Sequence, residues 1–400
     1  MKSEWKTIRA DEFCSLVTDG THDSPKPQAA GRKLITSKHL KGYYLDFESA
    51  NWISSEDYEK VIARSSVEQW DILYSMIGTI GNVYLEKNPV VDYACKNVGI
   101  FKFGGNCNKA YWMYYYLKSP QAMEFIKAHL RGTTQLYVPL ATLREMPVPV
   151  PDEEEMNKIV AILRTLDDKI QCSIKINDNL EQQAVALFKS WFVDFSLFGG
   201  TVPENWEDTT LENITTLITR GIAPKYSDNS DQTVVNQKCI RNHTIDLSLA
   251  RTHTPKAINE KWLKFGDLLI NSTGDGTLGR VAQVWFAPKA LTVDSHVTIV
   301  RPAREELIFY IGLWGILHEK EIESLHTGST GQTELPRDRV KMLKLLLPDD
   351  SSLSRFNSII APMTSTIISN QEKNQKLANL RDTLLPKLMS GVIDVANVQL

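Results

Sequence analysis

The sequence predicts an α+β protein that is built twice. Two domains of mixed α/β structure are separated by two long helices forming an antiparallel coiled coil, with internal pseudo-twofold duplication. Three observations predict this. Short motifs recur about half a chain apart, a heptad-spaced segment closes each half, and β-rich runs between turn residues fill the rest.

The repeat is read directly. Trp5-Lys6-Thr7-Ile8 is echoed by Trp206-Glu207-Asp208-Thr209, with 206 − 5 = 201. Lys38 and Asp46 recur as Lys238 and Asp246, 200 apart. Gly78-Thr79-Ile80-Gly81-Asn82-Val83 recurs as Gly276-Thr277-Leu278-Gly279-Arg280-Val281, 198 apart, and Pro139 and Pro151 recur as Pro336 and Pro348, 197 apart. A period this long describes two copies of one module, not a solenoid. The boundaries expected are 1–151 and 199–348 for the mixed domains, and 152–198 and 349–396 for the helices.

In the first half, Gly81–Leu85 and Val98–Phe103 read as strands between turn clusters. Lys109–His129 reads as one helix rich in aromatics, and Pro147-Val148-Pro149-Val150-Pro151 as a stiff extended connector. The period then changes. Met156, Ile159, Leu163, Leu166, Ile170, Ser173, Asn177, Leu180, Ala184 and Leu187 step by 3 and 4, as heptad a and d positions do. Acidic Asp152–Glu155 occupies the first turn, where the helix dipole favours negative charge. No proline or glycine interrupts 152–198, so a helix of about 40 residues, roughly 60 Å long, is expected. Phe356, Ile360, Met363, Ile367, Asn370, Asn374, Leu377, Arg381 and Leu384 repeat the stripe. Two rods of equal length in one chain most simply pair with each other, and Asn177 and Asn374 would help fix the register. Phe198-Gly199-Gly200 opens a short linker between the halves.

Four hundred residues exceed one ordinary core. Hydrophobic content of 42% and a charged fraction of 23% suit a soluble chain, and no apolar run approaches a membrane span or a signal-peptide core. Five cysteines without a C-x-x-C pair point to a reduced, cytoplasmic protein. The net charge of −3, from 45 basic and 48 acidic residues, neither advertises nor excludes a nucleic-acid face, because local patches matter more than the sum.

No catalytic motif emerges. Gly274-Asp275-Gly276-Thr277-Leu278-Gly279 fits G-x-G-x-x-G, but valine-rich sequence follows where a phosphate-binding loop needs a helix, and the first copy has Met76 where Gly274 stands. A turn between strands is the better reading. There is no nucleophile elbow, H-E-x-x-H helix or P-loop, and His39, His243 and His253 lack metal-ligand spacing. Asn88-Pro89-Val90 lacks the remainder of an adenine-methyltransferase loop.

What remains is a polar constellation at matched places. Thr21 and His22 lie in an early turn of copy one, and Arg220 and Lys225 in the same turn of copy two. Lys38 and His39 face Asn236, Gln237, Lys238 and Arg241. Thr133, Thr134 and Gln135 face Thr330, Gln332 and Thr333. These side-chain types hold phosphates and read base edges, so the set is the candidate DNA-binding surface.

At this point the pattern resembles the specificity subunit of type I restriction–modification systems. The resemblance rests on Leu180-Glu181-Gln182-Gln183-Ala184 with Leu187–Phe195, and on Leu380–Gly391, which look like that family's two spacer regions. Asn236–Arg241, the Gly132–Gln135 loop and Asp19–His22 look like pieces of its target-recognition domains. The resemblance implies two target-recognition domains, each reading half of an asymmetric bipartite double-stranded DNA target, with the helices as a ruler. It implies no catalysis and no cofactor in this chain. Two modification (methyltransferase) subunits carrying S-adenosylmethionine, and restriction (motor-nuclease) subunits, would be the partners. Cys239 and Arg241 find no like residue in His39 and Lys41, so base-level roles do not transfer between copies. Two other readings stay open: a methyltransferase or nuclease acting alone, and a bivalent protein scaffold unrelated to DNA.

Overall fold

The computed structural model describes residues 5–274, 276–328, 333–396 and 398. Each half builds the same three sheets in the same order. In the first, Lys6–Arg9 pairs antiparallel with Pro147–Val150. A four-stranded antiparallel sheet runs Leu16–Asp19, Val98–Lys102, Ile72–Ser75, Val83–Leu85. A three-stranded sheet runs Asn51–Ile53, Arg32–Thr36, Tyr93–Lys96, its last pair parallel. In the second half the corresponding sheets are Glu207–Thr210 with Lys344–Leu347; Thr215–Arg220, Val297–Pro302, Leu268–Asn271, Val281–Gln283; and Arg251–Thr252, Thr233–Val235, Leu291–Val293. The duplication therefore extends to strand order and to the single parallel pairing.

Three expectations need correcting. The segment 147–151 is no free connector: Pro147–Val150 is a strand. Its prolines are tolerated because the sheet has only two strands, leaving one side of each without a ladder. The helix expected over Lys109–His129 is two helices, Cys107–Leu117 and Pro120–Ala128. Ser119 breaks it by accepting the Ala122 N–H, and Pro120 takes the first-turn position where a missing N–H costs nothing. Finally, Gly78 rather than Met76 matches Gly274. Ile77 bridges to Tyr137 as Thr273 bridges to Glu334, and the second loop is longer by two residues. The loop still joins two antiparallel strands, Leu268–Asn271 and Val281–Gln283, so the strand–turn–strand reading holds.

Two helices of 40 residues each, Glu153–Phe192 and Asp350–Met389, follow the two halves. The second passes through Pro362 and Pro386, which local propensity would use to end it. Burial of Phe356, Ile360 and Ile367 along one face holds it together instead. Both helices start in the same way. Asp152 accepts the Glu155 N–H and Asp349 the Ser352 N–H, each as an N-cap. The tryptophan that opens each module then donates its indole N–H to an acid at that terminus, Trp5 to Glu155 at 3.0 Å and Trp206 to Asp349 at 2.8 Å.

The chain divides into two compact units, one holding residues up to Gln171 together with those from Asn374 onward, the other Cys172–Lys373. Within each unit the two helices run antiparallel. In the first, Ile159 and Leu163 share a core with Leu385, Leu388 and Met389, and with Phe101 and Trp112 of the sheet domain. In the second, Phe188, Trp191 and Phe192 pack on Phe356 and Ile360, and on Tyr310. Asn177 accepts an amide N–H from Asn370 at 2.9 Å there, so its polar side chain is satisfied inside the helix pair.

The first unit also carries a buried charge network. Asp167 accepts from Arg381 at 2.7 Å, from Tyr115 at 3.1 Å and from Tyr43 at 3.3 Å, and Arg381 also reaches Tyr43. Lys118 lies over the Tyr43 and Tyr114 rings. One carboxylate thus ties both long helices to two segments of the sheet domain. Breaking a buried pair from one side strands the other charge. Arg381→Met is therefore expected to destabilise the chain by about 3 kcal/mol, read as a fall in the midpoint of chemical unfolding.

Burial acts against the Asp349 carboxylate, but hydrogen bonds from Ser352 and Trp206 outweigh it and hold its pKa at about 2. A carboxyl depressed in the folded state contributes stability above its ordinary pKa and loses it as pH falls through the folded value. Asp349→Ala should cost about 1 kcal/mol at neutral pH. The gap between variant and parent should close as pH falls from 4 to 2, measured by urea unfolding.

Candidate nucleic-acid interface

The topology collects the predicted segments at one end of each four-stranded sheet. In the first half, Asp19 sits opposite Gly99, and Ser75 opposite Val98, so the loops after Leu16–Asp19 and Ile72–Ser75 leave the sheet side by side. The loop 131–137 joins them: Arg131 and Tyr137 exchange backbone hydrogen bonds at 3.0 and 2.8 Å, and Val138 donates to the Met76 carbonyl. Thr133, Thr134 and Gln135 form its exposed tip. In the second half Thr327 and Glu334 close the same loop at 2.8 and 2.9 Å, and Leu335 donates to the Ser272 carbonyl. Thr333 is half-buried beside that closure, while Thr330 and Gln332 lie outside the described residues.

Around the first loop set, buried Asp19 holds two exposed side chains, the Arg64 guanidinium at 2.6 Å and the His22 ring at 3.0 Å. The other His22 nitrogen meets Asn97 Oδ1 at 2.8 Å. The Asn97 carbonyl accepts from Ser37, bringing the 36–39 turn to the same place, and its N–H donates to the Thr21 carbonyl. Lys38 projects from that turn into solvent. His39 does not: it is 2% exposed, and its Nδ1 accepts the Thr36 N–H. It is a cap inside the fold and cannot reach a ligand from there. Sequence reading overlooked Arg64, because helix Ser55–Ser65 replaces what is only a three-residue turn, Asn259–Lys261, in copy two.

In the second half, Lys238 is exposed at the place of Lys38, on the turn Gln237–Cys239. The turn is fixed by Asn236, whose Oδ1 accepts the Lys238 N–H and whose Nδ2 donates to Leu249. Gln237 is spent locally, its Oε1 accepting from Thr273 at 3.0 Å. Thr273 also meets His296, which stands where Asn97 stands in copy one. Arg220 is committed to the fold: it pairs with Glu334 and donates to the Leu335 carbonyl at 2.8 Å, clamping the base of the 327–334 loop. Lys225 stays exposed. Arg241 donates only to the Gln237 and Ile240 carbonyls. Burial and the neighbouring Arg280 guanidinium push its pKa below the ordinary value. Two guanidinium groups held close to one another make a local positive field suited to a phosphate. Arg280 was not singled out because copy one has Asn82 there.

Comparison with known proteins agrees with this architecture. Residues 2–182 match the family model for the type I restriction modification DNA specificity domain. The chain is 27% identical over 389 residues to the type I restriction enzyme MjaIX specificity subunit of Methanocaldococcus jannaschii, covering 90% of this chain and 86% of that protein. Over most of its length the chain is thus similar to type I restriction–modification specificity subunits, and its residues 2–182 match a DNA specificity domain. The HindI specificity subunit of Haemophilus influenzae is 22% identical over 412 residues, covering 83% of this chain and 88% of that protein. The crystal structure of the type I S subunit from M. genitalium shares the fold, with a TM-score of 0.57 at 15% identity and 96% coverage of both chains. Among the described residues, no cluster of three His, Cys, Asp or Glu side chains could hold a metal, and no helix is long and apolar enough to cross a membrane.

The 131–137 loop depends on Gly132, whose φ is +98° and where a Cβ would sit 2.2 Å from the Gln135 carbonyl oxygen. Gly132→Ala should open the loop at a cost of about 1–2 kcal/mol. Faster hydrogen exchange at the Arg131 and Tyr137 amides, with the sheet amides unchanged, is the expected result.

Proposed function

We propose that this chain is a specificity subunit that reads an asymmetric bipartite duplex DNA, one part with the loop end of domain 1–151 and the other with that of domain 199–348. The helical segments 152–198 and 349–396 then serve as the ruler between the parts. The observation that carries the reading is the repeated sheet end. The same loops leave the same strands in both halves, yet their side chains differ, exposed His22, Arg64 and Lys38 in one and exposed Lys225 and Lys238 with half-buried Arg241 in the other. A common frame with different side chains suits two different half-sites rather than a palindrome.

Of the candidate contacts, Thr21, His22, Lys38, Thr133, Thr134, Gln135, Lys225, Lys238 and Arg241 are the set we favour, with Arg64 and Arg280 added. Asn236, Gln237 and Arg220 support the loops from behind. The family assembles with methyltransferase and restriction subunits and with DNA. The finer proposal is that two methyltransferase subunits dock on the paired helices and bring S-adenosylmethionine, while restriction subunits join for cleavage in the cytoplasm.

Binding should weaken steeply with salt, as phosphate neutralisation requires. Lys38→Ala and Lys238→Ala should each flatten the slope of log K against log salt by about 1 without altering which sequence is preferred. Footprinting is expected to show two protected patches; a single short continuous site would refute the bipartite reading. Insertion of one heptad into both long helices, in step, should lengthen the unspecified gap. An unchanged gap would refute the ruler.

A further inference from the structure

In the unit formed by Cys172–Lys373, a cavity of about 400 Å³ opens between the two long helices and helix Ile308–Leu317. Its size is that of a small-molecule site. Most of its wall is apolar, and the Trp285 and Phe309 rings stack within it at 5.5 Å.

The internal duplication shows what the equivalent space holds elsewhere. Ala184 corresponds to Arg381 and Thr364 to Asp167, since 381 − 184 = 364 − 167 = 197. His243 corresponds to Tyr43, 200 apart. Gly312 and Leu313 correspond to Tyr114 and Tyr115, 198 apart. The last offset follows from the helix face. Tyr115 donates to Asp167 and stacks on Tyr111, Lys118 lies over the Tyr114 ring beside them, and Phe309, Gly312, Leu313 and Ile316 line the cavity. In the first unit the space is filled by phenol rings and a guanidinium ion. In the second, Ala184, Thr364 and Gly312 stand in place of Arg381, Asp167 and Tyr114, and the space is open.

Two polar side chains lie on its wall. Gln283 is 6% exposed, and its Nε2 donates to the Gly266 and Ile308 carbonyls at 3.0 and 2.7 Å, which fixes the amide orientation. Its Oε1 has no partner. It lies over Gly312, where a Cβ would come within 1.7 Å. That oxygen is shielded from the open space, so it is not the ligand's contact. Glu181, also on the wall, keeps its carboxyl within the field of His243, and burial raises its pKa. His243 is already occupied by Glu319, 3.7 Å away, whose other partner is the Val281 N–H.

We propose that this cavity binds a small aromatic cation of the arylamidine or arylalkylamine class, with its ring against Trp285 and Phe309 and its N–H donors on the Glu181 carboxylate. Such a molecule would supply in the second unit what Arg381 and the tyrosines supply in the first.

Benzamidine, benzyl alcohol and benzoate titrated separately into the full-length chain test this, followed by calorimetry and tryptophan fluorescence. Saturable one-to-one binding of benzamidine is expected, at least tenfold tighter than that of the other two. Glu181→Gln should weaken it tenfold or more. Ala184→Leu, or Thr364→Ile if the first variant melts early by circular dichroism, should fill the cavity and abolish binding. No saturable benzamidine binding, equal affinity for benzyl alcohol, or affinity unchanged by Glu181→Gln or by the filling variant would each overturn the proposal.

Discussion

Everything in this chain depends on burying the apolar stripe of two long helices. A 40-residue helix with a heptad stripe is not stable alone in water, because nucleation and chain entropy outweigh its own hydrogen bonds. Each helix solves this in both units, lying antiparallel to the other helix and under a sheet domain at once. The apolar terms are large: Ile159, Leu163, Phe188 and Phe356 are essentially excluded from water. The polar terms are directional and set the register, through Asn177 with Asn370 in one unit and Asp167 with Arg381 in the other.

The helix termini carry the second constraint. An Asp cap and a tryptophan indole meet at the start of each long helix, so the first strand of a module and the helix that closes it are fixed to one another. That contact explains why Trp5 and Trp206 are among the most legible echoes in the sequence. The sheet domain is thereby seated on its helix as one piece, and its loop end can vary without disturbing the seat.

How far the sequence revealed this depended on whether a feature was local and periodic or came from tertiary contact. The heptad stripe was legible because every position from Met156 to Leu187 is buried or half-buried as spaced. Sheet order was not, since strands of three or four residues such as Val83–Leu85 carry too little pattern to choose partners. Pro147–Val150 misled because prolines argue against a strand until an edge is available. Of the candidate contacts, Lys38 and Lys238 were found through their repeat. Arg64 and Arg280 have no repeat partner and were overlooked. His39 and Arg220 have the right chemistry but are consumed by the fold, a cap in one case and a loop clamp in the other.

The central claim is that two separately varied loop ends read two halves of one target. Genome-wide mapping of methylated adenines, with the cognate methyltransferase subunit present, tests it most directly when the parent chain is compared with a variant whose Thr133, Thr134 and Gln135 are replaced. The account predicts a split motif in which only one half changes or relaxes, while the other half and the gap are kept. A continuous motif, or a change in both halves at once, would contradict it.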